Sequence, residues 1–367
     1  MMSKIKVLYV VTKCTKCGPI NVLLNIVESM DMSEIDFYLI TTDREDADRS
    51  IINEFQKRAV EHIFVPLEKK MVIFGNISDL KKEIQRISPD VIHSTGIVPD
   101  LAVSRICPDK QLIISHANVF VDNKLKYGKI IGAFLAQLNI YVYKQARLTI
   151  ACSKSLSELY RKHGMELPYI RNGVRVGKKE RYDKTKLRNE LGLPVKSPIF
   201  VYAAAFIPRK NHRFIIEMFK CHLTDCTLLL LGDGPLLDEM TSIAGENTIF
   251  AGRQENVMPY VMASDYCVSS SFQEGMPMAV LEAMSCGLPV LLSDISQHRE
   301  LFELGKDIGC LFVNGSQDSF EKACREIIDK DYQAISESSY EIVRDYFNAE
   351  KMSAEYQLKY KAIAKNE

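Results

Sequence analysis

The sequence lacks a net charge and a long apolar run. Its 367 residues include 47 basic and 47 acidic side chains, so the formal net charge is zero. Without an excess of positive charge there is no overall attraction to nucleic acid, and we expect no nucleic-acid partner. The most apolar segment, residues 130 to 143, contains Gln137 and Asn139 and is shorter than the ~20 residues that span a bilayer. The sequence therefore predicts no membrane-spanning helix.

Signals for export, metal binding and redox chemistry are also scarce. The N-terminal stretch MMSKIKVLYVVTK enters a strand pattern without the apolar helix and cleavage site of a secretory signal, so we expect a cytoplasmic protein. Cys14 and Cys17 form a C-x-x-C, but a zinc site needs a second pair and a thioredoxin-like motif needs a smaller domain. The other cysteines are scattered, as is typical of reduced thiols. We expect neither a metal nor a cofactor.

What the sequence does contain is a regular alternation of apolar, β-branched runs with helical stretches. Eleven runs read as strands: residues 4–12, 36–42, 62–67, 91–95, 111–117, 148–153, 199–205, 227–232, 248–252, 266–271 and 289–294. Near-continuous hydrophobic strands alternating with helices are typical of parallel sheets covered on both faces. Two such series predict an α/β protein of two doubly wound, Rossmann-like domains.

The predicted domain boundary lies in a charged segment. Residues 177–198 carry two prolines and no strand pattern, so they are interpreted as a linker and a first helix. This gives an N-terminal domain over residues 1–174 and a C-terminal domain over residues 175–349. The C-terminal segment has helical spacing and could pack on either domain; we assign residues 350–367 to the first.

Residues 269 to 294, SSSFQEGMPMAVLEAMSCGLPVLLSD, hold the strongest functional signal. Glu274 follows a predicted strand, where open α/β sheets bind their ligands. Gly275 permits a bend and Pro277 suits the first turn of a helix. We predict that helix from about Met278 to Ser285, closed by a Gly-x-Pro.

This helix start is suited to a diphosphate, because it offers backbone N–H groups and a partial positive charge. Glu282 lies four or five residues further on, ~6 to 8 Å away at 1.5 Å per residue, and could accept both hydrogens of a ribose diol. Glu274 would lie on the other side of the phosphates, beside an attached sugar. Either acid alone could be a solvated surface residue. The combination of strand, acid, Gly-x-Pro, helix and second acid favours a nucleotide-sugar site.

The stretch EGMPMAVLEAMSCGLPV resembles the E-x7-E signature of retaining glycosyltransferases of family 4. Further segments resemble that family in order along the chain: CSKSLSELY (152–160), RNGV (171–174), PRKNH (208–212), LLLLGDGPLLDEM (228–240) and LSDISQHREL (292–301). The resemblance implies the GT-B fold, in which two Rossmann-like domains face a deep interdomain cleft.

The resemblance also implies roles for residues of the C-terminal domain. Glu274 would be catalytic and hold the sugar hydroxyls. Lys210 and Arg209 would bind the donor phosphates; basic side chains are often only solvated at the surface, but the position of these two after a predicted strand favours a functional role. Many relatives have an arginine where this chain has Ala205, so Arg209 or another base must supply that charge. The remaining donor-binding residues implied are Gly275, Met276, Pro277, Met278 and Glu282.

Two residues of the N-terminal domain match the family. KCGPINVLLNIV resembles the family's glycine loop and first helix, with Gly18 near the diphosphate, and a turn glycine is an equally simple explanation. His116 matches the family's histidine beside the transferred sugar, whereas a lone histidine is more often structural. The first strand is followed by KCGPIN rather than G-x-G-x-x-G, which argues against a nicotinamide-dependent dehydrogenase.

The predicted activity is transfer of a hexosyl or N-acetylhexosaminyl group from a nucleotide-sugar, with UDP-sugar favoured by family frequency, without a metal. The expected acceptor is a saccharide, lipid-linked, in capsule, exopolysaccharide or O-antigen synthesis. A GT-B nucleotide-sugar epimerase or hydrolase and a non-catalytic sugar-binding protein are the alternatives. Residues 124–147 interleave lysines with apolar side chains, which suits either an anionic membrane surface or a core helix with a solvated basic edge.

Overall fold

The computed structural model describes residues 4–68, 72, 76–177 and 183–366. The chain forms two compact units. One comprises Met1–Gly173 with Ala349–Glu367, and the other comprises Val174–Asn348.

The first unit is built on a parallel sheet with the strand order β3-β2-β1-β4-β5-β6. Its strands are β1 Ile5–Val11, β2 Ile35–Thr41, β3 Glu61–Phe64, β4 Val91–Thr95, β5 Gln111–Ser115 and β6 Leu148–Ala151. Its helices before the second unit are α1 Gly18–Glu28, α2 Ile52–Gln56, α3 Ser78–Ile87, α4 Ile97–Ile106, α5 Val119–Tyr127, α6 Lys129–Gln145 and α7 Lys154–Lys162, with a 3-10 helix at Pro108–Lys110.

The second unit repeats this architecture, with the strand order β12-β11-β10-β7-β8-β9. Its strands are β7 Ile199–Ala203, β8 Thr227–Leu231, β9 Thr248–Gly252, β10 Tyr266–Ser269, β11 Val290–Ser293 and β12 Gly309–Phe312. Its helices are α8 Lys184–Leu191, α9 His212–His222, α10 Leu237–Ile243, α11 Met258–Ala263, α12 Met278–Ser285, α13 Ser296–Phe302, α14 Gln317–Asp329 and α15 Tyr332–Tyr346, with a 3-10 helix at Pro208–Lys210.

The predicted α/β class of two doubly wound, Rossmann-like domains is confirmed. Each of the eleven predicted runs overlaps a strand, and the described residues add β12, which the sequence interpretation missed. In each sheet the first three strands extend from the centre to one edge and the last three extend to the other edge. The strand order therefore reverses between β1 and β4 in the first sheet and between β7 and β10 in the second. Ligands of such sheets bind at these switch points, beyond the carboxyl ends of the strands.

Apolar side chains on both faces of the strands hold each sheet in the interior. All five residues of β8, TLLLL, are buried, as expected of a strand covered by helices on both sides. In the second unit, aromatic rings join the sheet to its helices: Phe200 of β7 packs against Phe219 of α9, and Phe312 of β12 packs edge-on against Phe320 of α14. This packing fixes the strand ends that carry the candidate site.

The C-terminal helix, α16 Ala349–Ala364, belongs to the first unit. Its Tyr360 hydroxyl lies 2.9 Å from the Tyr9 hydroxyl of β1 and 2.8 Å from His93 Nδ1 of β4. Ser353 Oγ also donates to the carbonyl of Ile26 at the end of α1 at 2.7 Å. These buried hydrogen bonds attach the end of the chain to the centre of the first sheet.

A buried carboxyl group lies beside the switch point of the first sheet. Asp100 of α4 accepts a hydrogen bond from Ser94 Oγ at 2.7 Å, and Gln111 Nε2 donates to both Ser94 Oγ and the Asp100 carbonyl. Burial raises the pKa of Asp100 to about 7, although the bond from Ser94 lowers it. The folded protein therefore keeps this proton at pH values where an unfolded aspartate, with a pKa of about 4, has lost it.

We predict that stability falls as the pH rises from about 4 to about 7, because the folded state binds the extra proton in this window. Asp100→Asn cannot titrate and should reduce the slope of unfolding free energy against pH by up to ~1.4 kcal/mol per pH unit. Urea unfolding at pH 5, 6, 7 and 8 measures both slopes. Equal slopes in the two proteins would contradict the assignment.

Candidate active site

A pocket opens at the switch point of the second sheet, between the ends of β7 and β10 and the start of α12. Its lining includes Lys210, Glu274, Pro277, Met278, Ala279 and Val280. Lys210 follows β7 and Glu274 follows β10, and these two strands are neighbours in the sheet. The parallel order therefore brings together two segments that lie 64 residues apart in the sequence.

Glu274 is the centre of a buried ion cluster. Lys210 Nζ and Ser271 Oγ both donate to its Oε1, the serine at 2.6 Å, and Arg209 Nη1 donates to its Oε2 at 2.8 Å. The residue is only 6% exposed, so this carboxylate exchanges its hydration for two cations and one hydroxyl. The ion pairs are consequently shielded from solvent and stronger than surface pairs.

The charge state of Glu274 follows from these contacts. Burial alone would raise the pKa of Glu274, but the charges of Lys210 and Arg209, with the hydrogen bonds from Lys210 and Ser271, lower it to about 2. The side chain is therefore ionised at neutral pH. It can accept hydrogen bonds or stabilise positive charge, and it cannot donate a proton.

Hydroxyl groups at the strand ends hold this cluster in place. The Tyr202 hydroxyl donates to the Lys210 carbonyl at 2.7 Å and lies 3.0 Å from Ser271 Oγ. The Ser271 carbonyl accepts from Ser293 Oγ at 2.7 Å and from Asn314 Nδ2 at 2.9 Å. The neighbouring strands β7, β10 and β11 thus fix the loop that presents Glu274.

His298 of α13 also helps to hold the loop that presents Glu274. Its Nδ1 donates to the Ser293 carbonyl at 2.7 Å, which orients the serine that binds Ser271. Burial lowers the pKa of His298 to about 4, although the charge of Glu274 raises it, so the ring is neutral at pH 7. The positive charge of the site therefore comes from Lys210 and Arg209 rather than from this imidazole.

The start of α12 offers backbone donors to the same pocket. The helix covers Met278–Ser285, which confirms the predicted bounds, and Pro277 occupies the N-cap position immediately before it. Within the described residues no side chain caps this end of the helix. The first N–H groups of a helix have no acceptor inside it, and Ala279 and Val280 of this first turn line the pocket. Glu282 lies one turn further along and is partly exposed.

A two-glycine turn packs against the segment that carries the bases. Gly232 and Gly234 follow β8 and have φ values of 147° and 152°. A Cβ on Gly234 would lie 2.7 Å from the backbone nitrogen of Phe206, and one on Gly232 would collide with the Ala204 carbonyl. Only glycine allows this close approach, which sets the path of the chain between β7 and Lys210.

Two predicted site residues belong to the first unit. Gly18 is the first residue of α1, and a Cβ there would meet nothing within 4 Å, so sterics alone do not require glycine. His116 follows β5, and burial lowers its pKa to about 4. Its buried Nε2 has no hydrogen-bond partner among the described residues.

The eight other predicted residues lie in the second unit. The structure brings Arg209, Lys210 and Glu274 into direct contact, and it places Gly275, Met276, Pro277, Met278 and Glu282 on the following turn and helix. The contact itself was not expected, because the bases had been predicted at the phosphates and the acid at the sugar. The sequence interpretation also missed the supporting residues Tyr202, Ser271, Ser293, Asn314 and His298. Their common signal is a polar side chain at or just after a strand end.

Two family models match the chain. The model described as Glycosyltransferase Family 4 matches residues 18–178, and the model described as Glycosyl transferases group 1 matches residues 197–330. The chain belongs to the family 4 glycosyltransferases. The predicted enzyme class is thereby confirmed, and the matched ranges include every predicted site residue.

Two curated relatives match most of this glycosyltransferase. The O-antigen biosynthesis glycosyltransferase WclY of Escherichia coli is 25% identical over 367 residues, covering 96% of this chain and 97% of WclY. The UDP-Gal:alpha-D-GlcNAc-diphosphoundecaprenol alpha-1,3-galactosyltransferase of Escherichia coli is 26% identical over 354 residues, covering 89% of each chain.

Among solved structures, Anabaena HepE in complex with UDP and glucose has a TM-score of 0.80 to this glycosyltransferase at 15% sequence identity. The match covers 98% of this chain and 100% of HepE. The similarity shows that the two proteins share the GT-B fold.

The contacts among Lys210, Arg209 and Glu274 predict how substitutions change the free energy of unfolding. Removing one partner of a buried pair leaves the other charge uncompensated, so Lys210→Met should destabilise the second unit by about 2 kcal/mol, less than the full cost because Arg209 remains. Glu274→Gln leaves two cations without their carboxylate, and the double variant should lose less stability than the sum of the single variants, because the Lys210–Glu274 contact is removed only once. Urea unfolding of both single variants and the double variant measures the coupling. Additive effects would contradict the contact.

Proposed function

We propose that this glycosyltransferase moves a hexosyl or N-acetylhexosaminyl group from a UDP-sugar to a lipid-linked saccharide, with retention of anomeric configuration. The observation that carries the proposal is that Lys210, the ionised Glu274 and the start of α12 line one pocket, with Arg209 bonded to the same carboxylate. The bases and the helix suit a diphosphate, and the carboxylate suits the hydroxyls of the attached sugar.

The main chemical demand is stabilisation of the leaving group. As the bond to the anomeric carbon breaks, negative charge grows on the nucleoside diphosphate. Lys210, Arg209 and the first turn of α12 provide fixed positive potential there, an effect worth several kcal/mol, on the order of 3, in a site that excludes water. Arg209 supplies the positive charge that many relatives obtain from an arginine at the position of Ala205. Because these groups are part of the chain, we propose that transfer needs no metal ion.

Glu274 would act on the sugar. It is ionised, so its oxygens accept hydrogen bonds from sugar hydroxyls and stabilise the positive charge that develops on the ring. We also propose that Glu282 binds the ribose and that the Gly275–Met278 turn binds the donor through its backbone.

The relatives support the donor and the acceptor. One Escherichia coli relative is named for UDP-Gal as its donor and a diphosphoundecaprenol-linked sugar as its acceptor, and the other is named for O-antigen biosynthesis. HepE was solved with UDP. We therefore place this glycosyltransferase in the synthesis of a cell-surface polysaccharide, such as a capsule, exopolysaccharide or O-antigen.

The proposed donor site can be tested with a panel of UDP-, GDP- and TDP-sugars. The true donor should raise the melting temperature most, because it binds only the folded protein. With that donor, Glu282→Ala should weaken binding about ten-fold by loss of the ribose contact, and Glu274→Ala should chiefly slow transfer, by about 100-fold or more.

Chelation with EDTA should leave the rate of transfer unchanged. Near-normal transfer by both acid variants would contradict the site. Release of free sugar, or epimerisation, at the full rate without an acceptor would instead favour a hydrolase or epimerase.

The acceptor's lipid suggests where the first unit works. No helix among the described residues has both the length and the apolar character to cross a membrane. However, α5 and α6 pack so closely that a Cβ on Gly132 would collide with the backbone of Asn123, and they leave apolar side chains in solvent. Ile130 is 87% exposed and Phe134 is 68% exposed. These two residues are four apart, on one face of α6.

We name this face, with Val121, Leu125 and Ile131, the apolar surface of α5 and α6. Three exposed lysines, Lys124, Lys126 and Lys129, adjoin it in the sequence. Apolar side chains that enter the headgroup region beside basic ones are typical of helices that lie on anionic bilayers. We propose that this surface contacts the inner face of the plasma membrane, rather than being a core helix with a solvated basic edge.

Ile130→Gln with Phe134→Gln should reduce binding to phosphatidylglycerol-rich vesicles about ten-fold, because two apolar side chains no longer enter the bilayer. Co-sedimentation measures this binding. The matched control is Leu358→Gln, which changes an exposed leucine of α16 and should have no effect. Equal losses in both proteins, or no loss in either, would contradict the proposed surface.

A further inference from the structure

Every oxygen of the Glu274 carboxylate already has a donor. Oε1 accepts from Lys210 and Ser271, and Oε2 accepts from Arg209. Lys210 and Arg209 are the bases to which we assign the donor diphosphate. The carboxylate and the diphosphate therefore need the same two cations.

Glu274 is held against these cations and away from solvent. Its side chain is 7% exposed, and the adjacent Gln273 carbonyl accepts from Arg209 Nη1 at 2.8 Å. The Ser271 carbonyl on the other side of the loop is held by Ser293 and Asn314. A diphosphate that enters the pocket must therefore share Lys210 and Arg209 with a fixed negative charge, and like charges brought together in a buried site repel.

The sugar attached to the diphosphate offsets this repulsion. Its hydroxyls are hydrogen-bond donors, so they can supply the carboxylate with the bonds that the diphosphate draws away. A nucleoside diphosphate without the sugar leaves the carboxylate short of donors. It also gains a charge at its free terminal phosphate, which increases the repulsion.

We propose that Glu274 determines specificity for the intact nucleotide-sugar over its own product, the nucleoside diphosphate, by competing with the phosphates for Lys210 and Arg209. The inference rests on the proposed donor site and adds a role to it. Glu274 holds the sugar of the donor. It also weakens binding of the nucleoside diphosphate product and so favours release of that product.

The test compares the affinities of UDP and of inorganic pyrophosphate for four proteins by titration calorimetry: wild type, Glu274→Gln, Lys210→Met and Glu239→Gln. Glu274→Gln keeps the shape of the side chain and removes its charge, so it should bind UDP and pyrophosphate about ten-fold more tightly than wild type. It should bind the UDP-sugar with little gain. Glu239→Gln removes one exposed carboxylate of α10 from the same unit and should not change these affinities.

These measurements distinguish failure of the inference from failure of the proposed donor site. UDP binding that is unchanged or weaker in Glu274→Gln, and lost in Lys210→Met, overturns the inference and leaves the proposed function standing. UDP binding that is unaffected by Lys210→Met overturns the proposed donor site and the inference with it. Equal tightening in Glu239→Gln also overturns the inference, because the effect is then one of net charge.

A second variant keeps the inference testable if Glu274→Gln does not fold. Ser271→Ala removes the neutral donor of Oε1, so the carboxylate should depend more on Lys210. UDP should then bind a few-fold more weakly, although Ser271 carries no charge. Unchanged or tighter binding of UDP by Ser271→Ala would overturn the competition.

Discussion

The rest of the site depends on one buried interaction, the ion cluster of Glu274 with Lys210 and Arg209. A carboxylate with so little exposure is stable only where cations and hydroxyls replace its water, and these come from segments that meet only because β7 and β10 are neighbours. The cluster is thus a consequence of the sheet order. Conversely, it fixes the loop that leads into α12, so the start of this helix and Lys210 line the same pocket.

The sequence predicts the strands and the bounds of α12 because the signals are local. Near-continuous apolar runs identify buried parallel strands, and Gly275, Pro277 and Gly287 punctuate the helix. β12 was missed because it is a four-residue edge strand that begins at Gly309, whose missing Cβ allows close contact with Val290. The contact between Lys210 and Glu274 could not be predicted, because residues 64 apart in sequence show no spacing that reports distance.

The two units use the same fold for different chemistry. In the first unit, burial shifts two titratable groups toward their neutral forms: it raises the pKa of Asp100 to about 7 and lowers that of His116 to about 4. Beside the switch point of the second sheet, two cations keep a carboxylate ionised. The difference arises from the side chains after the strands and not from the sheets, whose strand orders are the same.

Charge balance explains why the second unit would contain an acid among its phosphate-binding groups. Lys210 and Arg209 each carry a full positive charge, and the start of a helix adds about half a charge more. Without Glu274, this potential would favour the product over the donor, because the terminal phosphate of a nucleoside diphosphate is more negative than the diester it came from. A fixed carboxylate lowers the potential until the donor's sugar, through its hydroxyls, becomes necessary for tight binding. An acid at this position therefore serves turnover as well as recognition, since an enzyme that binds its product best is slow to release it.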